Sequence, residues 1–174
     1  MGGTFCQAWA INDANQVAGW SMGSDGIGHG FIWQDGNFKD LGYFQAYPSR
    51  APVPTSINGT GKAVGYVQDA TDVFAFLWDG TLHLLDPKHE FAYSTAVAIN
   101  DAGTIIGMAS KSEEWNAVPA RYDGSHLVLL QDEVENIASW QLLAVYGINN
   151  KGEIVGAGYN AATNTYGSFK LVPQ

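Results

Sequence analysis

The side chains in this sequence that could do chemistry are 17 acidic residues, four histidines and one cysteine. A carboxylate pair that cleaves a glycoside must face one bond from separate elements, about 5 to 9.5 Å apart. The close carboxylates here are Glu113 with Glu114 and Glu133 with Glu135. Each pair sits in one short stretch, so both read as solvated loop acids. Ser-His-Asp chemistry needs a serine activated on a strand-to-helix elbow, and none is expected. Cys6 is alone, so it forms no disulfide within the chain, and it reads as a buried thiol. His29, His83, His89 and His126 lack the spacing of a metal-ligand set. Asp69-Ala70-Thr71-Asp72 lacks the acidic run of a calcium loop. The glycines fall in hairpin turns with no helix behind them, so no phosphate loop is expected. The expectation is no metal, no cofactor and no catalytic residue.

What must position these residues is a repeat. Four segments align without gaps: Ile11–Gly19, Ile57–Gly65, Ile99–Gly107 and Ile148–Gly156. Their isoleucines lie 46, 42 and 49 residues apart. Each begins Ile-Asn: Ile11-Asn12, Ile57-Asn58, Ile99-Asn100 and Ile148-Asn149. The Ile ends a strand and points into a core. An Asn side chain can bond its own backbone two residues on, which starts a turn. The fifth position is Asn15, Gly61, Gly103 or Gly152, residue types that tolerate positive φ. That pattern predicts a hairpin with a left-handed bulge residue. The closing glycines, Gly19, Gly65, Gly107 and Gly156, lie inside the next strand, where glycine signals a bulge or close backbone approach.

A second hairpin follows in three repeats, around Asp35-Gly36, Asp79-Gly80 and Asp123-Gly124. Asp-Gly between apolar runs is a strong hairpin signal. Each unit is therefore two hairpins, or four strands, and one unit cannot bury its apolar faces alone. The fold expected is all-β: four repeats of a four-stranded antiparallel unit in a small four-bladed β-propeller-like ring. One domain, 1–174, holds units near 6–46, 52–91, 94–138 and 142–174. The first strand of each unit carries small residues before its Ile, among them Ala10, Ser56, Ala98 and Gly147. Small side chains suit the innermost strand. The last unit stops after its third strand, near Ser168–Val172, so a three-stranded blade with an open edge is expected. Such an edge invites pairing with another chain, here a homodimer.

The run Ala10 to Gly19, then His29-Gly30-Phe31-Ile32-Trp33, then Asp40-Leu41-Gly42 resembles the HAF (His-Ala-Phe) repeat. Gly30 stands where that family has Ala, and Phe74-Ala75-Phe76 of the second unit has Phe in place of His. The resemblance covers nearly the whole chain. It implies a bacterial, extracellular, β-propeller-like repeat protein and carries no enzymatic activity with it. Met1–Cys6 lacks the basic and apolar stretches of a secretion signal, so the compartment stays open at this stage.

The net charge is −9 with eight basic residues, which excludes a nucleic-acid-binding or anionic-membrane surface. Function is then sought in residues that break the repeat. Trp115, in a longer loop with Glu113 and Glu114, and Trp140, after an acidic stretch that could form a helical turn, are two such residues. Exposed tryptophans beside acids can stack on a sugar or grip a protein. Together with Arg50 they are the expected ligand-binding residues of a non-enzymatic binding or protein-interaction module. The alternatives are a carbohydrate-active enzyme with carboxylates at the propeller axis, and a structural repeat domain acting within a larger assembly.

Overall fold

The computed structural model describes residues 2–45, 48, 50–68, 72–112, 116–122, 124, 126–135, 137 and 139–173. Four antiparallel units, here called blades, follow one another along the chain, one per repeat. Blade 1 is β1 (Gly2–Ile11), β2 (Val17–Gly23), β3 (Gly28–Gln34) and β4 (Asn37–Asp40). Blade 2 is β5 (Pro52–Ile57), β6 (Ala63–Gln68), β7 (Val73–Trp78) and β8 (Leu82–Leu84). Blade 3 is β9 (Tyr93–Ile99), β10 (Ile105–Ser110), β11 (Val118–Tyr122) and β12 (Leu127–Leu129), followed by the one-turn helix α1 (Leu130–Glu133). Blade 4 has three strands, β13 (Trp140–Ile148), β14 (Ile154–Asn160) and β15 (Thr165–Leu171). One parallel bridge, Val73 to Tyr93, ties blade 2 to blade 3.

The turns follow the sequence pattern. Asn15, Gly61, Gly103 and Gly152 have φ of 59, 82, 86 and 78°, the left-handed conformation that the fifth position requires. The repeated strand glycines mark close approach. A Cβ at Gly19, Gly65, Gly107 or Gly156 would collide with the carbonyl oxygen of Gln7, Val53, Thr95 or Ala144 on the neighbouring first strand. That first strand is bulged nearby in every blade. The bulge and the missing side chain together let the first strand lie tightly over the second.

The first strands are neighbours from blade to blade: β1 packs by β5, β5 by β9, and β9 by β13. The core lies between blades. Ala18 and Ile32 of blade 1 pack with Ile57, Ala63 and Trp78 of blade 2. Val64 and Leu77 of blade 2 pack with Ile99, Ile105 and Tyr122 of blade 3. Ile106 and Met108 of blade 3 pack with Ile148, Ile154 and Leu171 of blade 4. Alternate residues of a strand point to opposite faces. So each blade has a face toward its predecessor and a face toward its successor. Among the described residues, no helix is long and apolar enough to cross a membrane.

Candidate functional site

The polar residue that recurs at each blade junction is the asparagine of the Ile-Asn turn. Its Oδ1 accepts backbone N–H groups of its own turn: Gln16 at 2.9 Å, Lys62 at 2.9 Å, Thr104 at 2.9 Å and Glu153 at 3.0 Å. Its Nδ2 reaches the next blade. Asn12 donates to the Asn58 carbonyl at 2.8 Å, Asn58 to that of Asn100 at 3.0 Å, and Asn100 to that of Asn149 at 3.0 Å. A parallel contact runs one residue later. Gly59 N–H donates to Asp101 Oδ1 at 2.6 Å, and Asp101 N–H to Asn150 Oδ1 at 2.9 Å. All four turns are thereby capped, and the first three are bolted to their successors by the same side chain.

Both terminal faces of the row of blades are open. Ile11 is 66% exposed, whereas its counterparts Ile57 and Ile99 are 7% and 6% exposed. Phe38 and the half-buried Trp33 lie on the same face of blade 1. At the other end, Val155 is 46% exposed, whereas its counterparts Ala18, Val64 and Ile106 are fully buried. Tyr166 is exposed beside Tyr159, with ring centroids 5.1 Å apart. Large apolar side chains grouped on an open sheet face mark a contact surface.

One titratable cluster breaks the repeat. His29 Nδ1 lies 2.7 Å from Asp40 Oδ2, and its Nε2 lies 3.4 Å from Asp25 Oδ2. Tyr43 Oη donates to the Gly28 carbonyl at 2.7 Å and lies 3.1 Å from His29 Nδ1. The Ile27 N–H, with help from His29, holds the Asp25 carboxyl below its ordinary range. Burial, with Asp40 and Asp25 adding negative charge, pushes the Tyr43 phenol up. Two other carboxyls are displaced. Glu153 is lowered by its hydrogen bonds from Lys170 and Asn149. At Asp79 burial pushes upward, but the hydrogen bond and charge of His83 outweigh it and the net shift is down. A lowered carboxyl gives up its proton more readily and accepts hydrogen bonds in its charged form.

Two clefts open between outer strands of adjacent blades. The smaller, about 340 Å³, lies between blades 1 and 2, where Lys39 Nζ stands 4.6 Å over the Trp78 ring. The larger, about 700 Å³, lies between blades 3 and 4. Its Arg121 forks Glu133 with two bonds of 2.5 Å, and its Lys170 pairs with Glu153 at 2.9 Å. Both cations are thus paired with acids.

Among solved structures, the chain is similar to TolB from Acinetobacter baumannii. The TM-score is 0.59 at 12% identity, over 97% of this chain and 44% of that one. That likeness is one of fold: an all-β, β-propeller-like arrangement of antiparallel sheets. The chain spans less than half the length of that TolB chain. No family model and no curated protein matches the sequence.

The residues singled out from the sequence fall as follows. Glu113, Glu114 and Trp115 lie outside the described residues, as do Asp69, Ala70 and Thr71. Trp140 is half-buried and opens β13, with its ring against Gly158 and Gly167. Its neighbour α1 is a single helical turn. Arg50 is half-buried just before β5. Blade 3 stands between the blades that carry Arg50 and Trp140. Cys6, expected buried, is exposed on β1. Gly19-Trp20-Ser21-Met22-Gly23 does spell the letters of a nucleophile elbow. It lies within β2, with no helix behind it, and Ser21 is buried with its hydroxyl donating to the Phe5 carbonyl at 3.2 Å. Asn58-Gly59-Thr60 also spells a glycosylation sequon, but the Asn58 side chain is buried in the blade junction. What the sequence reading missed was the open faces, since Ile11 and Val155 look like core residues in any pattern.

Proposed function

We propose that this chain is a non-enzymatic protein-interaction module of the HAF-repeat type, and that its open blade faces are the surfaces that engage a partner. The observation that carries the reading is the pair Ile11 and Val155, large apolar residues exposed where the same repeat positions elsewhere are buried. Burying apolar surface yields about 25 cal/mol per Å², so such faces favour a protein surface over water. The recurring polar residues support the same reading, because they are occupied by turn capping and blade joining. The four units form a β-propeller-like row in this proposal, and a partner extends or closes it. The extracellular setting implied by the HAF resemblance belongs to the same proposal.

Methyl relaxation by a soluble paramagnetic agent tests this on the dilute chain, at 18.7 kDa in solution. Ile11 and Val155 methyls are expected to relax strongly, and Ile57 and Val64 methyls weakly. Equal protection of all four in the monomer would remove the proposed surface.

A further inference from the structure

The two open faces are not independent. We infer that they are the two halves of one blade junction, and that a second copy of this chain docks head to tail, its blade 1 against blade 4 of the first. This rests on the interaction-module reading above and names its partner.

The argument is continuity with the junctions already inside the chain. Each internal junction needs an amide donor on the leading blade and an asparagine carbonyl on the next. Blade 4 presents the donor. Asn149 gives one Nδ2 hydrogen to Glu153 Oε2 at 2.7 Å, as Asn12 gives one to Gln16 Oε1 at 2.8 Å. Asn12 spends its other hydrogen on blade 2, whereas that of Asn149 faces solvent on an exposed residue. Blade 1 presents the acceptor. The Asn58, Asn100 and Asn149 carbonyls each accept a turn N–H and the preceding asparagine's Nδ2. Among the described residues the Asn12 carbonyl accepts the Asn15 N–H, at 3.0 Å, and has a lone pair to spare.

The neighbouring contact matches in the same register. Asp101 and Asn150 accept the preceding blade's N–H through their side chains. The equivalent acceptor on blade 1 is Asp13, an exposed carboxylate, and the equivalent donor on blade 4 is the Asn150 N–H. The apolar parts match too. Val155 stands where Ala18, Val64 and Ile106 meet the next blade, and Ile11 stands where Ile57 and Ile99 receive them. Donors and a forward-facing Val on one end thus meet acceptors and a receiving Ile on the other. Such a contact joins unlike surfaces, so it propagates until it closes a ring or continues as a filament.

Sedimentation velocity on the full chain, from micromolar to millimolar at 0.15 M salt, tests this with Ile11→Glu and Val155→Glu. Both positions are exposed in the single chain, and far-UV circular dichroism checks that each variant folds. The parent chain is expected to rise from 18.7 kDa to at least twice that mass. Each variant alone is expected to stay monomeric. An equimolar mixture is expected to give one 1:1 species and nothing larger, because each variant keeps one intact face. A parent chain that stays monomeric overturns the inference, as does a mixture that stays monomeric. Association indifferent to both substitutions also overturns it and assigns contact to the open edge of β15. A monomer whose Ile11 and Val155 methyls remain open to the paramagnetic agent refutes self-docking alone. Protected methyls in that monomer refute the interaction-module reading as well.

Discussion

Asn58 donates its Nδ2 to the carbonyl of Asn100 across 3.0 Å, and both residues are 4% exposed. The same side chain accepts the N–H groups of Thr60 and Lys62 through Oδ1, at 3.1 and 2.9 Å. One amide therefore closes its own hairpin and fastens the hairpin of the next blade. A junction made this way needs no long-range charge, which suits a chain with 14% charged residues.

Removing that amide tests the junction. Asn58→Ala deletes the turn cap and leaves the buried Asn100 carbonyl with one partner fewer. A buried polar group left short costs about 1–3 kcal/mol, and each lost bond about 1 kcal/mol. Asn58→Ala is expected to lower unfolding free energy by about 2–4 kcal/mol in urea denaturation. Asn149→Ala loses the cap but no internal junction, so about 1 kcal/mol is expected. Equal losses would show that the inter-blade bond adds nothing.

The strand glycines give a second contrast. At Gly107 a Cβ would meet the Thr95 carbonyl oxygen, which is backbone and cannot swing aside. Gly107→Ala is expected to cost about 1–3 kcal/mol by overpacking. At Gly36 a Cβ meets open space, but φ is 85°. Gly36→Ala is expected to cost about 1–2 kcal/mol from the left-handed backbone alone. Amide hydrogen exchange separates them further, because Gly107→Ala forces β9 and β10 apart and should reduce protection along that pair. Gly36→Ala should leave the blade junctions untouched.

Much of the architecture could be read before any coordinates. The Ile-Asn spacing located all four first hairpins, and the Asp-Gly pairs located three second hairpins. These signals are local: a turn needs its asparagine and its left-handed residue within five positions. The reach of the asparagine across 42 or more residues is not local, so the sequence showed the cap and hid the bolt. Exposure at the ends was hidden for a related reason. Ile11 and Val155 carry the same letters as buried counterparts, and only the presence of a neighbouring blade decides which are covered. His29 was visible as a departure from the second unit, where Phe74 stands. Its two carboxylates come from a loop and from β4, so its setting needed the fold.

That cluster gives a pH prediction. Asp25 is held below its ordinary value of 3.8, first by the Ile27 N–H at 2.9 Å and then by His29. Its folded pKa is depressed, so its contribution to stability is present above the ordinary carboxyl range. That contribution fades as pH falls through the lowered value. A carboxyl-carbon NMR titration is expected to place the Asp25 midpoint below 3.8. His29→Asn removes the lesser cause and keeps the greater, so the midpoint should rise and still stay below 3.8. A midpoint unmoved by His29→Asn would show that histidine and carboxylate do not interact in solution.

Two phenylalanines test whether burial between blades, rather than aromatic content, holds the fold. Phe76 is fully buried among residues from blades 1 and 2. Its truncation leaves a cavity between packed sheets that cannot close without moving a blade. Phe76→Ala is expected to cost about 3–5 kcal/mol. Phe38 lies on the open face of blade 1, 46% exposed, in an edge-to-face contact with Phe31 at 5.0 Å between centroids. That contact is worth about 0.5–1.5 kcal/mol, and Phe38→Ala should lose no more than this. Denaturant midpoints measured on the dilute chain decide the matter. If Phe38→Ala costs as much as Phe76→Ala, the outer face of blade 1 is already covered in the single chain, and the open-face picture fails with it.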